Sequence, residues 1–407
     1  LFMSSFLFFL LIHVSKEFLG MHGESEFVSV KISELNHCHG DNNILNNEGE
    51  LEKVSFCFKV PLLSGKLKNN TIDLIHCTKQ AQLVINDFLT SLNSKELEDV
   101  KNINICIHGF PYSQTECQYS ASHWSAGRCQ PYEMLKQFNK WTTVAIPKDA
   151  LIRKQSFSFD CTNMRRSYVE IFEHLQKSST ATLFYIHGGF WQEGTSQING
   201  EAICDLAEEQ IRFATLEYRM APLVTMQEIV NDVIQGVLLL VELSNSKYGS
   251  APIYVVGHSA GAHLICMALS KITNEHNISP IRGIVLLSGV YNLQPLVNSY
   301  IGNAVRLTEE VALQYSPIFE TQILPQMNDN SMPDLKVLLI VGENESDAFK
   351  DQTNSMYNHL LHEASTRNGA VIISKHEAPA EDHLSLVQSL SNSQSWLRKV
   401  LKECMES

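Results

Sequence analysis

"IYVVGHSAGAHLI", residues 253–265, runs an apolar stretch into Gly-His-Ser-Ala-Gly and out again into apolar residues. Gly and Ser are ordinary turn residues, so a short glycine–serine match carries little weight alone. It gains meaning where the serine stands at a sharp turn between a buried strand and a helix. Gly257 and Gly261 then remove side chains that would collide across the turn, and Ser259 is held with its hydroxyl raised at the carboxyl end of a sheet. The N-terminus of the following helix points at the same spot, where free N–H groups favour developing negative charge.

The flanking sequence supplies that setting. From about residue 165 apolar runs alternate with helical patterns. "YVEIFE" (168–173), "ATLFYI" (181–186), "RFATLEYR" (212–219) and "PIYVVG" (252–257) read as strands. "IRGIVLLSG" (281–289), "DLKVLLIVG" (334–342) and "AVIISKHE" (370–377) continue the series. Helices are expected near 224–245, 259–272, 347–365 and 384–402; in the first, Ile229, Val233, Val237 and Leu240 share one face. Nearly continuous apolar strands separated by helices predict an α/β fold, a mostly parallel central sheet with helices on both faces.

Three further segments fit the serine turn. "HGGFW" (187–191) follows a strand about seventy residues before Ser259, and its glycines let backbone N–H groups approach a tetrahedral oxyanion. Gly188, Gly189 and the N–H of Ala260 would form the hole, each donor typically lowering a barrier by about 2.7–4 kcal/mol. Trp191, which closes this motif, is read as a substrate contact. "VLLIVGENESDAF" places Glu343, Glu345 and Asp347 just past a strand, and "APAEDHLSL" places His383 after the last one. Serine, acid and histidine thus follow one another in the order such folds use. Among 16 histidines, His258 and His263 flank the turn and read as structural; His383 is distinguished by position.

Composition narrows the function. The 407 residues suffice for a sizeable core, and 44% hydrophobic with 18% charged residues describes an ordinary globular chain. A formal charge of −13 with no basic run speaks against nucleic acid, which needs clustered Lys and Arg. Ten scattered cysteines without a C-x-x-C pair read as reduced thiols. "HCHG" (His37, Cys38, His39) has no second ligand cluster at a zinc spacing, so no metal and no cofactor are expected. The opening run "LFMSSFLFFLLIHVS" is shorter than the roughly 20 residues that cross a bilayer. As a signal peptide it lacks a basic start and a small-residue cleavage site. A glycosylation sequon at Asn344-Glu345-Ser346 would put a glycan on the acid loop. The cytoplasm is the expected compartment, a small molecule the expected partner, and a homodimer stays open. "CIHGFP" (106–111) looks like an oxyanion turn but no serine turn follows it at a fitting distance.

Together these residues resemble a known family. His-Gly-Gly-Phe-Trp, Gly-His-Ser-Ala-Gly-Ala-His-Leu, "LSGVYNLQPLV" (287–297), "VGENESDAFKDQT" (341–353) and "EDHLSL" (381–386) are similar to eukaryotic kynurenine formamidases (arylformamidases), of the α/β-hydrolase superfamily. The resemblance spans roughly 112–403, entry segment "TECQYSASHW" included. It implies an α/β-hydrolase domain over 111–407 and leaves 1–110 as a region of unknown role. It also implies hydrolysis of N-formyl-L-kynurenine to L-kynurenine and formate, with Ser259, Glu345 and His383 as the triad. This chain departs from the family pattern at four places. Phe190 stands for a tyrosine, Glu345 for an aspartate, Asn292 for an aspartate and Leu384 for a phenylalanine. A general carboxylesterase of the same fold, or a silent hydrolase fold used for binding, would share the serine turn.

Overall fold

The computed structural model describes residues 10–13, 31–35, 55–58, 105–108, 114–121, 124, 131–159, 167–272, 276–325, 335–366 and 371–406. The chain divides into two compact units, Leu1–Leu135 and Lys136–Ser407. In the first, strands β1 (Leu10–His13) and β2 (Lys31–Leu35) pair antiparallel, as do β3 (Ser55–Phe58) and β4 (Ile105–His108). Helix α1 is Gln114–Tyr119, and α2, Pro131–Thr142, runs across the division. The His37–Cys38–His39 cluster and most of the opening apolar run lie outside the described residues. Among the described residues no helix is long and apolar enough to cross a membrane.

The second unit is built on one eight-stranded sheet of order β12-β11-β10-β9-β7-β8-β6-β5. Its strands are β5 (Ile152–Phe159), β6 (Ser167–His174), β7 (Ala181–Ile186), β8 (Ile211–Glu217), β9 (Ile253–His258), β10 (Ile281–Leu287), β11 (Leu335–Gly342) and β12 (Val371–Ala378). The six neighbours β12, β11, β10, β9, β7 and β8 run parallel, β6 pairs antiparallel with β8, and β5 pairs antiparallel with β6 at the edge. Strands β7 and β9 are buried at every residue, as their unbroken apolar runs require in a sheet covered on both faces.

Helices fill those faces: α3 (Gly200–Glu208), α4 (Met226–Lys247), α5 (Ala260–Lys271), α8 (Asp347–Ser365), α9 (His383–Gln388) and α10 (Trp396–Glu406), with short α6 (Tyr300–Ala304) and α7 (Glu309–Gln314) between β10 and β11. Ala202 and Leu206 of α3, Leu386 of α9 and Leu401 of α10 share one core cluster with Leu183, Val256, Val285 and Leu338 of the sheet. Alternation along each strand leaves Phe184, Val255 and Leu339 for the opposite face, where α4, α5 and α8 pack.

Two expectations need correction. The closing helix expected over 384–402 is two helices, α9 and α10, because the Ser- and Asn-rich segment between them forms a 3-10 turn and a bend. Side chains of Ser and Asn compete for backbone hydrogen bonds and interrupt helices. The regular pattern also begins earlier than residue 165, with the edge strand β5.

Candidate active site

Five neighbouring parallel strands, β7, β9, β10, β11 and β12, deliver their carboxyl ends to one place. Ser259 follows β9 directly, with φ 55° and ψ −119° before α5 begins. A non-glycine residue held there is strained, and the surrounding packing keeps it so. Gly261 is the reason the turn can close: a Cβ at 261 would lie 2.1 Å from the Ile186 carbonyl oxygen at the end of β7. At Gly257 a Cβ would meet the Ala262 nitrogen at 2.6 Å.

His383 opens α9, whose N-terminus is capped by Asp382 through the N–H groups of Leu384 and Ser385. Its Nδ1–H donates to Glu345 Oε2 at 2.7 Å, with both side chains buried. That bond leaves the Nε2 lone pair of a neutral imidazole available. The ring sits between Phe349 and His258, with centroids at 4.3 and 4.7 Å. His258, the residue before Ser259, donates from Nε2 to the His383 carbonyl at 2.8 Å, tying the serine turn to the histidine loop. Burial, and then the neighbouring His383, hold the His258 imidazole well below its usual range, so it stays neutral.

The three candidate acids part company. Glu345 is 4% exposed and turns back on β11, so that Oε1 accepts from the Gly342 N–H at 2.8 Å and from the Ser288 hydroxyl. Glu343 is exposed and accepts from the Ala380 N–H at 2.6 Å, bracing the turn that leads to His383. Asp347 is exposed in the first turn of α8, which Ser346 caps, and a carboxylate there meets the positive helix end. Of the three, the contact to His383 belongs to Glu345.

The glycine turn after β7 lies against the serine. A Cβ at Gly188 would be 2.8 Å from Ser259 Cβ, and Gly189 has φ +111°. His187 Nδ1 donates to the Gly188 carbonyl at 2.7 Å, which turns the N–H of the same peptide, that of Gly189, the opposite way. Burial lowers the pKa of His187, and its ring stacks on Tyr218 at 4.3 Å.

A family model described as the alpha/beta hydrolase fold matches residues 183–370. The kynurenine formamidase of Salmo salar is 30% identical over 224 residues, 55% of this chain and 72% of that protein. The chain belongs to the kynurenine formamidase family. The kynurenine formamidase of Danio rerio is 28% identical over 71% of this chain and 94% of its own length. A solved esterase structure, at 16% identity and a TM-score of 0.50, covers 73% of this chain and 91% of its own and shares the fold. The protein is thus an enzyme of the hydrolase class.

Against that family's pattern the departures settle into distinct places. Phe190 is half-buried, its ring 6.1 Å from Trp191. Trp191, read from sequence as a substrate contact, has no exposed surface, and its indole N–H donates to His263 Nδ1 at 3.0 Å. Its side chain therefore ties the turn after β7 to α5. Asn292 Oδ1 accepts from the Gln294 N–H at 3.0 Å, and Leu384 is buried. His258, read as structural, braces His383, and two residues escaped sequence reading: Ser288 on Glu345, and Gln352, whose Oε1 accepts from the N–H groups of Tyr291 and Asn292. Ser288 and Gln352 lie inside segments that the resemblance singled out, but their contacts are visible only once side chains have directions.

Proposed function

We propose that the chain hydrolyses N-formyl-L-kynurenine to L-kynurenine and formate by acyl transfer through Ser259. The observation that carries the reading is the buried Glu345–His383 hydrogen bond beside a strained serine in a chain of this family. His383 Nε2 takes the Ser259 hydroxyl proton as Oγ bonds to the formyl carbon. The carbonyl electron pair moves onto oxygen, faced by the N–H groups of Gly188, Gly189 and Ala260 and by the N-terminus of α5. Collapse breaks the C–N bond, and His383 hands its proton to the leaving arylamine nitrogen. Water then attacks the formyl ester, giving up a proton to His383; formate leaves and Ser259 regains its proton. Glu345 orients the imidazole through its hydrogen bond to Nδ1 and stabilises the charged ring. These steps use the chain's own groups, one small-molecule substrate and water, in the cytoplasm, with 111–407 as the working domain.

A substrate panel tests this. N-formylkynurenine should give kynurenine and formate in equal amounts, at a kcat/KM above that for simple aryl esters. Ester turnover without formamide turnover would make the chain a general carboxylesterase. An active-site-directed organophosphate should label Ser259; an unlabelled, inert chain would be a binding protein.

A further inference from the structure

We infer that Ser288 is a positioning residue of this site: its hydroxyl, with the Gly342 N–H, ties down one oxygen of Glu345 so that the other faces His383. The inference rests on the triad reading above. Ser288 follows β10, the strand between those that end at Ser259 and at the acid loop. It is wholly buried, its N–H donates to the Ile340 carbonyl at 2.7 Å, and its φ is +49°. A serine in the left-handed region is uncommon, and buried strain of this kind persists where the surroundings over-determine it. That backbone directs Oγ at Glu345 Oε1.

The need for such a tie follows from the acid itself. Glutamate has one more rotatable bond than aspartate, so its carboxylate is less constrained by the backbone. Two donors on Oε1, from Ser288 and Gly342, leave Oε2 the oxygen that accepts from His383. A buried serine could simply be satisfying its own hydroxyl. The difference shows in charge. A donor to a carboxylate that also serves the imidazole draws charge from it and makes the imidazolium less favourable.

Removing the hydroxyl should therefore favour the protonated pair, and the acid limb of kcat/KM should move to higher pH. The other titratable and charged groups around the pair are the same in the wild-type chain and in the Ser288 variants, so a difference between their profiles reports the hydroxyl. Burial keeps His258 neutral and raises the Tyr291 phenol well above its usual value. On the acid loop and α8, Glu343 is bonded to Ala380, Asp347 is exposed, and Lys350 is held by the Glu343 carbonyl and Glu377. On the histidine loop, Asp382 caps α9 and Glu381 accepts from Ser385.

The test compares pH profiles of the wild-type chain, Ser288→Ala, Ser288→Gly, Glu345→Gln and the Ser288→Ala/Glu345→Gln double variant. Both Ser288 variants should lower kcat by about tenfold to a hundredfold, the scale of a lost hydrogen bond to a charged group, with a smaller change in KM. Both should shift the acid limb upward, whereas Glu345→Gln should shift it downward. The double variant should be no slower than Glu345→Gln, because the hydroxyl acts through that carboxylate. Glycine relieves the positive φ, so a Ser288→Gly enzyme with wild-type rate and profile would overturn the inference, as would additive losses in the double variant. A Glu345→Gln enzyme with wild-type activity would overturn the triad reading itself. A crippled Glu345→Gln beside unaltered Ser288 variants overturns the inference alone.

Discussion

A glutamate in place of the family's aspartate needs somewhere to put its extra methylene. Here the side chain folds back over its own strand end, with Oε1 on the Gly342 N–H and Oε2 on His383. Glu345→Gln should therefore cost about 10⁴-fold in kcat, the scale seen when a triad carboxylate is neutralised. Glu345→Asp should keep substantial activity. Asp347→Asn should cost under about 1 kcal/mol of stability, from the lost helix-end charge, with little loss of rate. Steady-state kinetics on the three variants decide it; a crippled Asp347→Asn beside an active Glu345→Gln would reverse the assignment. Ser259→Ala should lower kcat by roughly 10⁶-fold, the scale of other serine nucleophiles. His263 gives a stability prediction. Its Nδ1 accepts from Trp191 and its Nε2–H donates to the Tyr315 carbonyl, so a second ring proton would break the Trp191 bond. Burial holds its pKa down to about 4 against 6.5 for the free side chain. The unfolded chain then binds a proton that the folded one refuses, so stability is intact above about pH 6.5 and falls as pH drops towards 4. By pH 5 this one group should have removed about 2 kcal/mol. Urea denaturation at pH 7.5 and 5 measures it, and His263→Asn, though weaker at neutral pH, should show a smaller difference between the two.

Elements meet most closely where α5 begins against β7. A Cβ at Gly261 would press on the Ile186 carbonyl at 2.1 Å, and neither backbone can move without dragging the serine turn. Gly261→Ala should lose about 3 kcal/mol, at the upper end of overpacking costs, and activity with it. Gly249, with φ +62° and nothing within 4 Å, is the control: alanine there should cost about 1 kcal/mol, from backbone strain alone. Equal denaturation midpoints for the two variants would refute the packing argument. The same contrast explains what could be read in the sequence. "ATLFYI" and "IYVVG" announce buried parallel strands because both faces of each are covered. Strand β5, "IRKQSFSF", is an edge with mostly polar, part-exposed residues, and it carries no such run. The final helix breaks at Ser and Asn residues whose local hydrogen bonding outweighs an otherwise helical spacing. At the site, chain order located the acid loop, but Glu343, Glu345 and Asp347 lie within five residues and differ only in where their side chains turn. Direction is a tertiary property that spacing does not contain. The burial of Trp191 is another instance: its aromatic character was legible, its bond to His263 was not.

For the whole molecule, the question is how much of the chain the chemistry needs. The groups assigned to the reaction lie between Gly188 and His383, on a sheet that begins at Ile152. That sheet is not the upstream limit of the packed unit. Phe138, Trp141 and Ile146 lean on the cluster formed by α3, α9, α10 and the sheet, and Trp141 Nε1 donates to Ser391 Oγ at 2.6 Å. The segment just before β5 thus helps to hold α9 and α10, and α9 begins with His383. Two truncations separate these contributions. Removal of residues 1–110 keeps Phe138, Trp141 and Ile146, so formamide hydrolysis should stay within about threefold of the full chain, under about 0.7 kcal/mol of barrier. Removal of residues 1–150 strips three apolar side chains from the cluster and should cost on the order of 5 kcal/mol, at about 1.5–3 kcal/mol for each one fully buried. That is comparable to the entire stability of an ordinary domain, so the shorter chain should unfold or aggregate. Circular dichroism with kinetics on both proteins reads the result. If the first truncation folds with an unchanged melting temperature yet loses formamidase activity, residues 1–110 complete the site. If the second stays folded and active, the α2 contacts are dispensable and His383 is held by its own loop, through Asp382, His258 and Glu345.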